Sequence, residues 1–181
     1  IANLINSEKV VARFSGRMEY GPRALGNRSI LADPRDKAIV SKINDMVKMR
    51  DFWMPFCPSI ISECADDYLI NFKENKGSFM TIGYESTALA RKFIPAALHP
   101  ADHTARPQII NSDQNIGLYK IITKFKEITG VGCLLNTSFN LHGEPIVESP
   151  ENAINTFKRT GLNHLIFNDK ILLSKYEVNL E

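Results

Sequence analysis

The stretch of sequence that most constrains the fold is a helical pattern followed at once by an apolar run. Between residues 114 and 129, apolar side chains recur at the spacing of one helix face. They are Ile116, Tyr119, Ile122 and Phe125. Gly130 is expected to end this helix, because glycine adopts a left-handed backbone at little cost. Residues 131–138 then predict a buried strand, so a helix must pack beside a sheet.

Shorter segments on either side add strands and helices in irregular alternation. Strands are expected at residues 9–15, 29–32, 57–62, 80–88, 106–111, 165–167 and 170–174. Helices are expected near residues 65–70, after a cap at Ser149, and after a cap at Asp33, with Pro34 in its first turn. This order predicts an α/β (α+β) domain with a twisted, mixed β-sheet flanked by helices.

Composition narrows the class of protein. The chain has 181 residues, 44% hydrophobic and 23% charged, so we expect one globular domain over residues 1–181. The formal net charge of +2 argues against nucleic acid as a partner. No apolar run approaches the roughly 20 residues of a membrane helix, and three cysteines without a CxxC pair favour a reducing cytoplasm. The absence of a starting Met suggests a fragment of a longer protein. The four histidines have no zinc-site spacing, so no metal site is predicted.

The first polar cluster is the loop between the first two predicted strands. Residues 16–29 contain three arginines, three glycines and Glu19. Glycines allow close backbone approach, and arginine offers a fork of donors that suits phosphate or carboxylate oxygens. We therefore select Arg23 and Arg28 as anion-binding candidates, with Glu19 as a weaker one. The alternative is a surface turn with solvated arginines; the loop lacks the P-loop pattern.

Two further clusters point to the same chemistry. Lys48 and Arg50 would lie on one side of an extended segment and suit a polyphosphate, although they could equally be the solvated end of the preceding helix. Small polar residues follow the apolar strand at 131–138, where binding sites in sheets often lie. They are Asn136, Thr137, Ser138 and Asn140. The alternative there is a turn whose polar side chains bond their own backbone. Arg106, at the start of a predicted strand, is either a ligand contact or a surface ion pair.

The motifs that carry these residues resemble one known family. In chain order they are GRMEYGPRALGNRSILADPR, KMRDFWMPFCPSI, TARPQ and LLNTSFNLHGEPIVESP. They resemble the C-terminal domain of the carbamoyltransferases that include the nodulation protein NodU and tobramycin carbamoyltransferase. The similarity extends from about residue 1 to about residue 175.

The resemblance implies a YrdC-like fold, joined in longer proteins to an N-terminal actin-like ATPase-superfamily domain that holds the metal. YrdC-like domains carry K-x-R and S-x-N motifs around the nucleotide, and Lys48 with Arg50 and Ser138 with Asn140 match them. ATP, with its Mg²⁺, and carbamoyl phosphate are the implied ligands, and carbamoyl-adenylate is the implied product. The chain departs from many members at Met54, where they have an arginine before Pro-Phe.

The resemblance distributes roles among the candidate residues. Lys48 and Arg50 are expected on the ATP phosphates, and Arg23 and Arg106 on carbamoyl phosphate or the adenylate phosphate. Ser138 and Asn140 are expected to bond the phosphate or the carbamoyl group, or to help seat Mg²⁺. The alternatives are a nucleotide-binding module without catalysis and an RNA-binding module, and the second would weaken as salt rises.

Overall fold

The computed structural model describes residues 1–48, 54–72 and 77–175. Within them, seven strands form one mixed sheet in the order β4-β3-β5-β2-β1-β6-β7. The strands are β1 (Val11–Phe14), β2 (Arg28–Ala32), β3 (Cys57–Ile61), β4 (Gln108–Ile110), β5 (Cys133–Ser138), β6 (His164–Phe167) and β7 (Ile171–Ser174). β3 pairs with β4 and β1 with β6 in parallel, and the other neighbours are antiparallel.

Helices cover both faces of this sheet. They are α1 (Ala2–Asn6), α2 (Ala38–Ile43), α3 (Ala65–Tyr68), α4 (Ala88–Phe93), α5 (Ile116–Thr129) and α6 (Pro150–Arg159). A π-helical turn at Asn44–Lys48 continues α2. The predicted caps of the two longest helices are present: Gly130 ends α5 with φ of 80°, and Ser149 begins α6 with a capping box.

The alternation of side chains along the strands creates two cores. Leu31, Leu134 and Ile166 pack with α5 on one face. Ile30 and Leu135 belong to the core on the other face, which includes side chains of α2 and α6. Because both faces are covered, the central strands are apolar in successive positions, which explains why they were recognisable in the sequence. The predicted α/β class with a mixed sheet flanked by helices is confirmed.

Strand pairing gathers the polar candidates at one edge of the sheet. Cys57 at the start of β3 lies opposite Asn136 near the end of β5, and Ser29 of β2 lies opposite Ser138. β4 runs parallel to β3, which brings Arg106, two residues before β4, to the same edge. The end of β5 and the beginnings of β2, β3 and β4 therefore surround a common surface.

Two predicted elements are wrong. Residues 80–88 form only isolated bridges at Tyr84 and Ser86, because Met80 has a positive φ and Thr87 instead caps α4 by accepting a hydrogen bond from the Ala90 amide. Asp33 does not cap a helix. Its carboxylate accepts hydrogen bonds from the backbone and side chain of Arg35, and α2 begins only at Ala38.

Among the described residues, no helix is long and apolar enough to cross a membrane.

Candidate active site

A cleft of three adjoining cavities opens at the edge of the sheet where the polar candidates gather. The central cavity measures about 40 Å³, and its two neighbours measure about 320 and 340 Å³. Pro55 and Arg106 line all three cavities, and Arg23 lines the central one and the 340 Å³ one. Of the sequence candidates, Asn136, Thr137 and Ser138 line the central cavity, while Lys48 and Asn140 line the 340 Å³ cavity.

Arg106 and Arg23 enter the cleft without an acidic partner among the described residues. Arg106 Nη2 lies 3.7 Å from Cys57 Sγ, and its buried Nε has no hydrogen-bond acceptor within that part of the chain. Arg23 is exposed and makes no hydrogen bond or ion pair with the part of the chain that the structure describes. Guanidinium donors left open in a cleft suit the oxygens of an anionic ligand.

The charged residues in the described lining are all cations. They are Arg23, Lys48 and Arg106, and no Asp or Glu of residues 1–48, 54–72 or 77–175 lines the cavities. Among the described residues, an anion entering this cleft therefore meets cations and no competing carboxylate.

Lys48 does not lie at a solvated helix end, which was one of the two environments expected from the sequence. It ends the π-helical turn, yet it is only 1% exposed. Its Nζ donates to the backbone oxygens of Ser138 and Asn140 at 2.5 and 3.1 Å, and to their side-chain oxygens at 3.1 and 2.6 Å. The K-x-R and S-x-N motifs thus meet through Lys48, across ninety residues of sequence. Arg50, its predicted partner, lies outside the described residues.

The turn held by Lys48 has a defined shape. Ser138 Oγ donates to Asn140 Oδ1 at 2.6 Å, and Asn140 Nδ2 donates to the carbonyl oxygens of Leu141 and Glu144 at 2.9 and 2.7 Å. The side chains of Ser138 and Asn140 are therefore engaged within the protein. Asn140 lines the 340 Å³ cavity, and Ser138 lines the central one.

Glu19 holds the arginine-rich loop rather than a ligand. Its Oε1 accepts hydrogen bonds from the backbone amides of Leu25, Asn27 and Arg28 at 2.7, 2.7 and 3.3 Å. Gly26, within this loop, has φ of 114°, a conformation that favours glycine. The carboxylate organises the loop that presents Arg23 to the cleft.

Arg28 is buried at 4% exposure, which differs from the predicted ligand contact. Its guanidinium lies 3.5 Å from the centroid of the Phe14 ring and donates to four backbone carbonyls. These belong to Ser15, Gly16, Asn27 and Glu148, at 3.0, 3.1, 3.1 and 3.4 Å. Burial lowers the pKa of Arg28, and the neighbouring charge of Glu19 opposes that shift. We infer that Arg28 fastens the loop to the sheet.

A second internal arginine, Arg13, was not among the residues selected from the sequence. It is 1% exposed in β1, and its Nε and Nη2 each lie 2.6 Å from a carboxylate oxygen of Asp169. Nη1 donates to the Gly26 carbonyl at 2.6 Å, so Arg13 ties the loop to the β6–β7 turn. An arginine inside an otherwise apolar strand was the available signal, because such a charge requires a partner.

Asn136 belongs to a buried network beneath the same loop. Its Nδ2 donates to Ser59 Oγ at 2.9 Å, Gln108 Oε1 at 3.1 Å and the Ala24 carbonyl at 3.3 Å. Gln108 in turn donates to the Leu25 carbonyl at 2.7 Å. The network fixes the segment that carries Arg23 against β3, β4 and β5.

The fold has known counterparts among solved structures. The chain aligns with full-length HypF, a crystal structure in the phosphate- and nucleotide-bound form, with a TM-score of 0.59 and 16% sequence identity. The alignment covers 95% of this chain and 20% of HypF. The class defined by the fold and the cleft is thus a YrdC-like α/β domain with a cationic site at the edge of its sheet.

Sequence comparison then places the chain within a family. Residues 2–175 match the family described as Carbamoyltransferase C-terminus, and the chain belongs to that family. It is 46% identical over 156 residues to an uncharacterized protein of Methanocaldococcus jannaschii, covering 86% of this chain and 25% of that protein. It is 40% identical over 166 residues to the nodulation protein NolNO of Sinorhizobium fredii, covering 91% and 24%. The chain spans about a quarter to a third of the length of such relatives.

Proposed function

We propose that this carbamoyltransferase C-terminal domain binds ATP and carbamoyl phosphate in the cleft and forms carbamoyl-adenylate. The observation that carries the proposal is the convergence of Arg23 and Arg106 on one small cavity, with no acidic residue in its described lining. Family membership supports the carbamoyl chemistry, and no carboxylate of the described residues competes with phosphate oxygens for the two guanidinium groups.

The proposed reaction has two steps. Water cleaves carbamoyl phosphate to carbamate and inorganic phosphate. A carbamate oxygen then attacks the α-phosphorus of ATP, a new P–O bond forms, and pyrophosphate leaves with the electrons of the broken P–O bond. Negative charge on the transferring phosphoryl group is what the site must stabilise, and Arg106 and Arg23 are placed to do so.

The 320 and 340 Å³ cavities, which share Pro55 and Arg106 with the central one, give room for the rest of the nucleotide. In this proposal Lys48 does not bind the ATP phosphates directly, although the resemblance implied that it would. It fixes the turn at Ser138 and Asn140, and it adds positive charge to the wall of the 340 Å³ cavity. The role of Arg50 on the ATP phosphates stays a prediction.

The described lining does not fit a Mg²⁺ ion held by the protein. Mg²⁺ prefers carboxylate oxygens, and none lines the cleft among the described residues. The oxygens of Ser138 and Asn140 already contact the Lys48 ammonium, which would repel a second cation. We therefore assign no step to a metal bound by this domain, and any Mg²⁺ would be carried by the ATP phosphates.

Transfer of the carbamoyl group to a sugar or another small molecule is proposed for a further part of a longer polypeptide. The relatives extend well beyond the matched region, which leaves room for the N-terminal actin-like ATPase-superfamily domain implied by the motifs. A cytoplasmic location would suit a protein that uses ATP and carries unpaired thiols at Cys57, Cys64 and Cys133.

The test is exchange of labelled pyrophosphate into ATP by the purified chain. We expect exchange that requires carbamoyl phosphate and that is lost in Arg106→Ala. Arg17→Ala is the matched control, because Arg17 is an exposed arginine of the same loop that lines none of the three cavities. Exchange that ignores carbamoyl phosphate, or that Arg17→Ala abolishes equally, would contradict the proposal. So would salt-sensitive RNA binding by a chain that binds no nucleotide.

A further inference from the structure

Asn136 carries an acceptor that the protein itself does not satisfy. The residue is 1% exposed, and its Oδ1 is buried without a hydrogen-bond partner among the described residues. Buried polar atoms are nearly always paired, so an orphan acceptor requires an explanation. The carboxamide nitrogen of the same side chain, by contrast, has three acceptors.

The orientation of this side chain is fixed by its neighbours. Ser59 Oγ donates its proton to Gln108 Oε1 at 2.7 Å, so it can only accept from Asn136. Gln108 Oε1 and the Ala24 carbonyl are acceptors by nature. Exchanging the oxygen and nitrogen of Asn136 would set its carbonyl against these oxygens. Oδ1 is therefore the atom of Asn136 that remains for an external donor.

The position of Asn136 indicates the kind of donor. It lines the central cavity together with Arg23 and Arg106, and this cavity of about 40 Å³ admits a group of only a few atoms. A ligand that satisfies all three residues carries anionic oxygens for the guanidinium groups and an N–H for the amide oxygen. Carbamate has both features on one small planar unit, and carbamoyl phosphate has the N–H on its planar carbamoyl group and the anionic oxygens on the adjoining phosphate.

We propose that Asn136 Oδ1 accepts a hydrogen bond from the amino group of the carbamoyl unit, and so selects carbamoyl phosphate over acyl phosphates. The inference rests on the proposed function, since it assigns a specificity role within the same cleft. The isosteric comparison is acetyl phosphate, in which a methyl group replaces the amino group. A methyl group facing Oδ1 leaves the acceptor buried and unpaired.

The experiment is competition of carbamoyl phosphate and acetyl phosphate for the purified chain, measured as dissociation constants by calorimetry. We expect wild type to prefer carbamoyl phosphate by about tenfold or more, because a site built around an N–H donor rejects the analogue that lacks it. In Asn136→Leu the preference falls to near unity, with acetyl phosphate affinity little changed. Ser59→Ala is the matched control: it removes a neighbour of Nδ2, leaves Oδ1 in place, and keeps the preference.

Two outcomes overturn the inference while leaving the proposed function in place. They are a wild type that binds both phosphates equally, and an Asn136→Leu protein that keeps the preference. If the leucine variant does not fold, Asn136→Ser replaces it, because the shorter side chain withdraws the acceptor and must also lose the preference. Failure of wild type to bind either compound, with ATP present or absent, overturns the inference and the proposed function together.

Discussion

Four arginines within or beside the loop at residues 16–28 form two pairs with opposite environments. Arg13 and Arg28 are buried and bond to groups of the protein, a carboxylate and backbone carbonyls respectively. Arg23 and Arg106 line the cleft and make no contact with a carboxylate of the described residues. The same side-chain chemistry thus builds the loop in one pair and leaves donors for a ligand in the other.

This difference shows that the role of an arginine cannot be inferred from its positive charge alone. The groups that the arginine contacts must also be known. A buried arginine that is hydrogen-bonded to groups of the protein contributes to stability, and its loss exposes these partners to an unmet desolvation cost. An arginine without partners contributes little to the folded state, so its removal should change binding alone. Each prediction below tests whether the two pairs separate in this way.

The largest effect is expected at Arg13. Arg13→Leu leaves the Asp169 carboxylate and the Gly26 carbonyl without their donor. Because the Asp169 side chain is 29% exposed and can partly rehydrate, we expect a loss of about 2–4 kcal/mol in the free energy of unfolding. Urea denaturation measures it, with Arg17→Ala as the exposed control near zero. If Arg13→Leu and Arg17→Ala unfolded at the same urea concentration, the buried arginine would stabilise the fold no more than an exposed one. The distinction between the buried pair and the cleft pair would then be wrong.

Lys48 should behave like Arg13 and Arg28, whose buried side chains stabilise the fold. Lys48→Met removes a buried ammonium with four oxygen contacts at Ser138 and Asn140, and we expect a loss of about 2–3 kcal/mol of stability. Calorimetric melting measures the loss, and the turn at residues 138–140 should exchange its amide protons faster. A variant that melts like wild type but no longer binds ATP would show instead that Lys48 serves the ligand directly.

The cleft arginines should show the reverse pattern. Arg106→Ala and Arg23→Ala are each expected to weaken binding of carbamoyl phosphate or ATP by about 1.5–2 kcal/mol, roughly 10–30-fold. Their free energies of unfolding should stay within about 0.5 kcal/mol of wild type. Titration calorimetry and urea denaturation on the same samples give both quantities. Strong destabilisation by Arg106→Ala would place that residue with Arg13.

The smallest effect concerns Met54, where the resemblance implies an arginine. Met54 is 42% exposed and lines the 340 Å³ cavity with Arg23 and Lys48, so it does not fill a core gap. Met54→Arg should leave the melting temperature nearly unchanged and tighten pyrophosphate binding by about 0.5–1 kcal/mol. A large fall in melting temperature that pyrophosphate does not reverse would contradict this placement.

The parts of the fold that the sequence predicted are those set by local pattern. α5 with Gly130, α6 with Ser149, and strand β5 were each predicted because spacing and caps lie within a few residues of one another. Residues 80–88 failed because the Thr87 cap and the positive φ of Met80 break an apolar run that alone suggests a strand. At residues 80–88 the helix cap at Thr87 opposes the strand that the apolar run favours, and the helix α4 forms after the cap.

The site was predicted by residue type more successfully than by role. The motifs named Lys48, Ser138 and Asn140 together, but only the folded chain shows that they bond one another. Arg23 and Arg28 look alike in the loop, because what separates them is burial against Phe14 and the sheet. That burial depends on packing between segments far apart in sequence, which no local pattern contains.

The most direct test of the central claim is a crystal structure of the chain soaked with ATP and carbamoyl phosphate. The account predicts ligand density in the cleft, with phosphate oxygens within hydrogen-bond distance of Arg106 and Arg23. The carbamoyl nitrogen should lie against Asn136, and Lys48 should still be bonded to Ser138 and Asn140. Density outside the three cavities, or a Lys48 side chain that has left its turn to grip the ligand while Arg23 and Arg106 remain free, would contradict it.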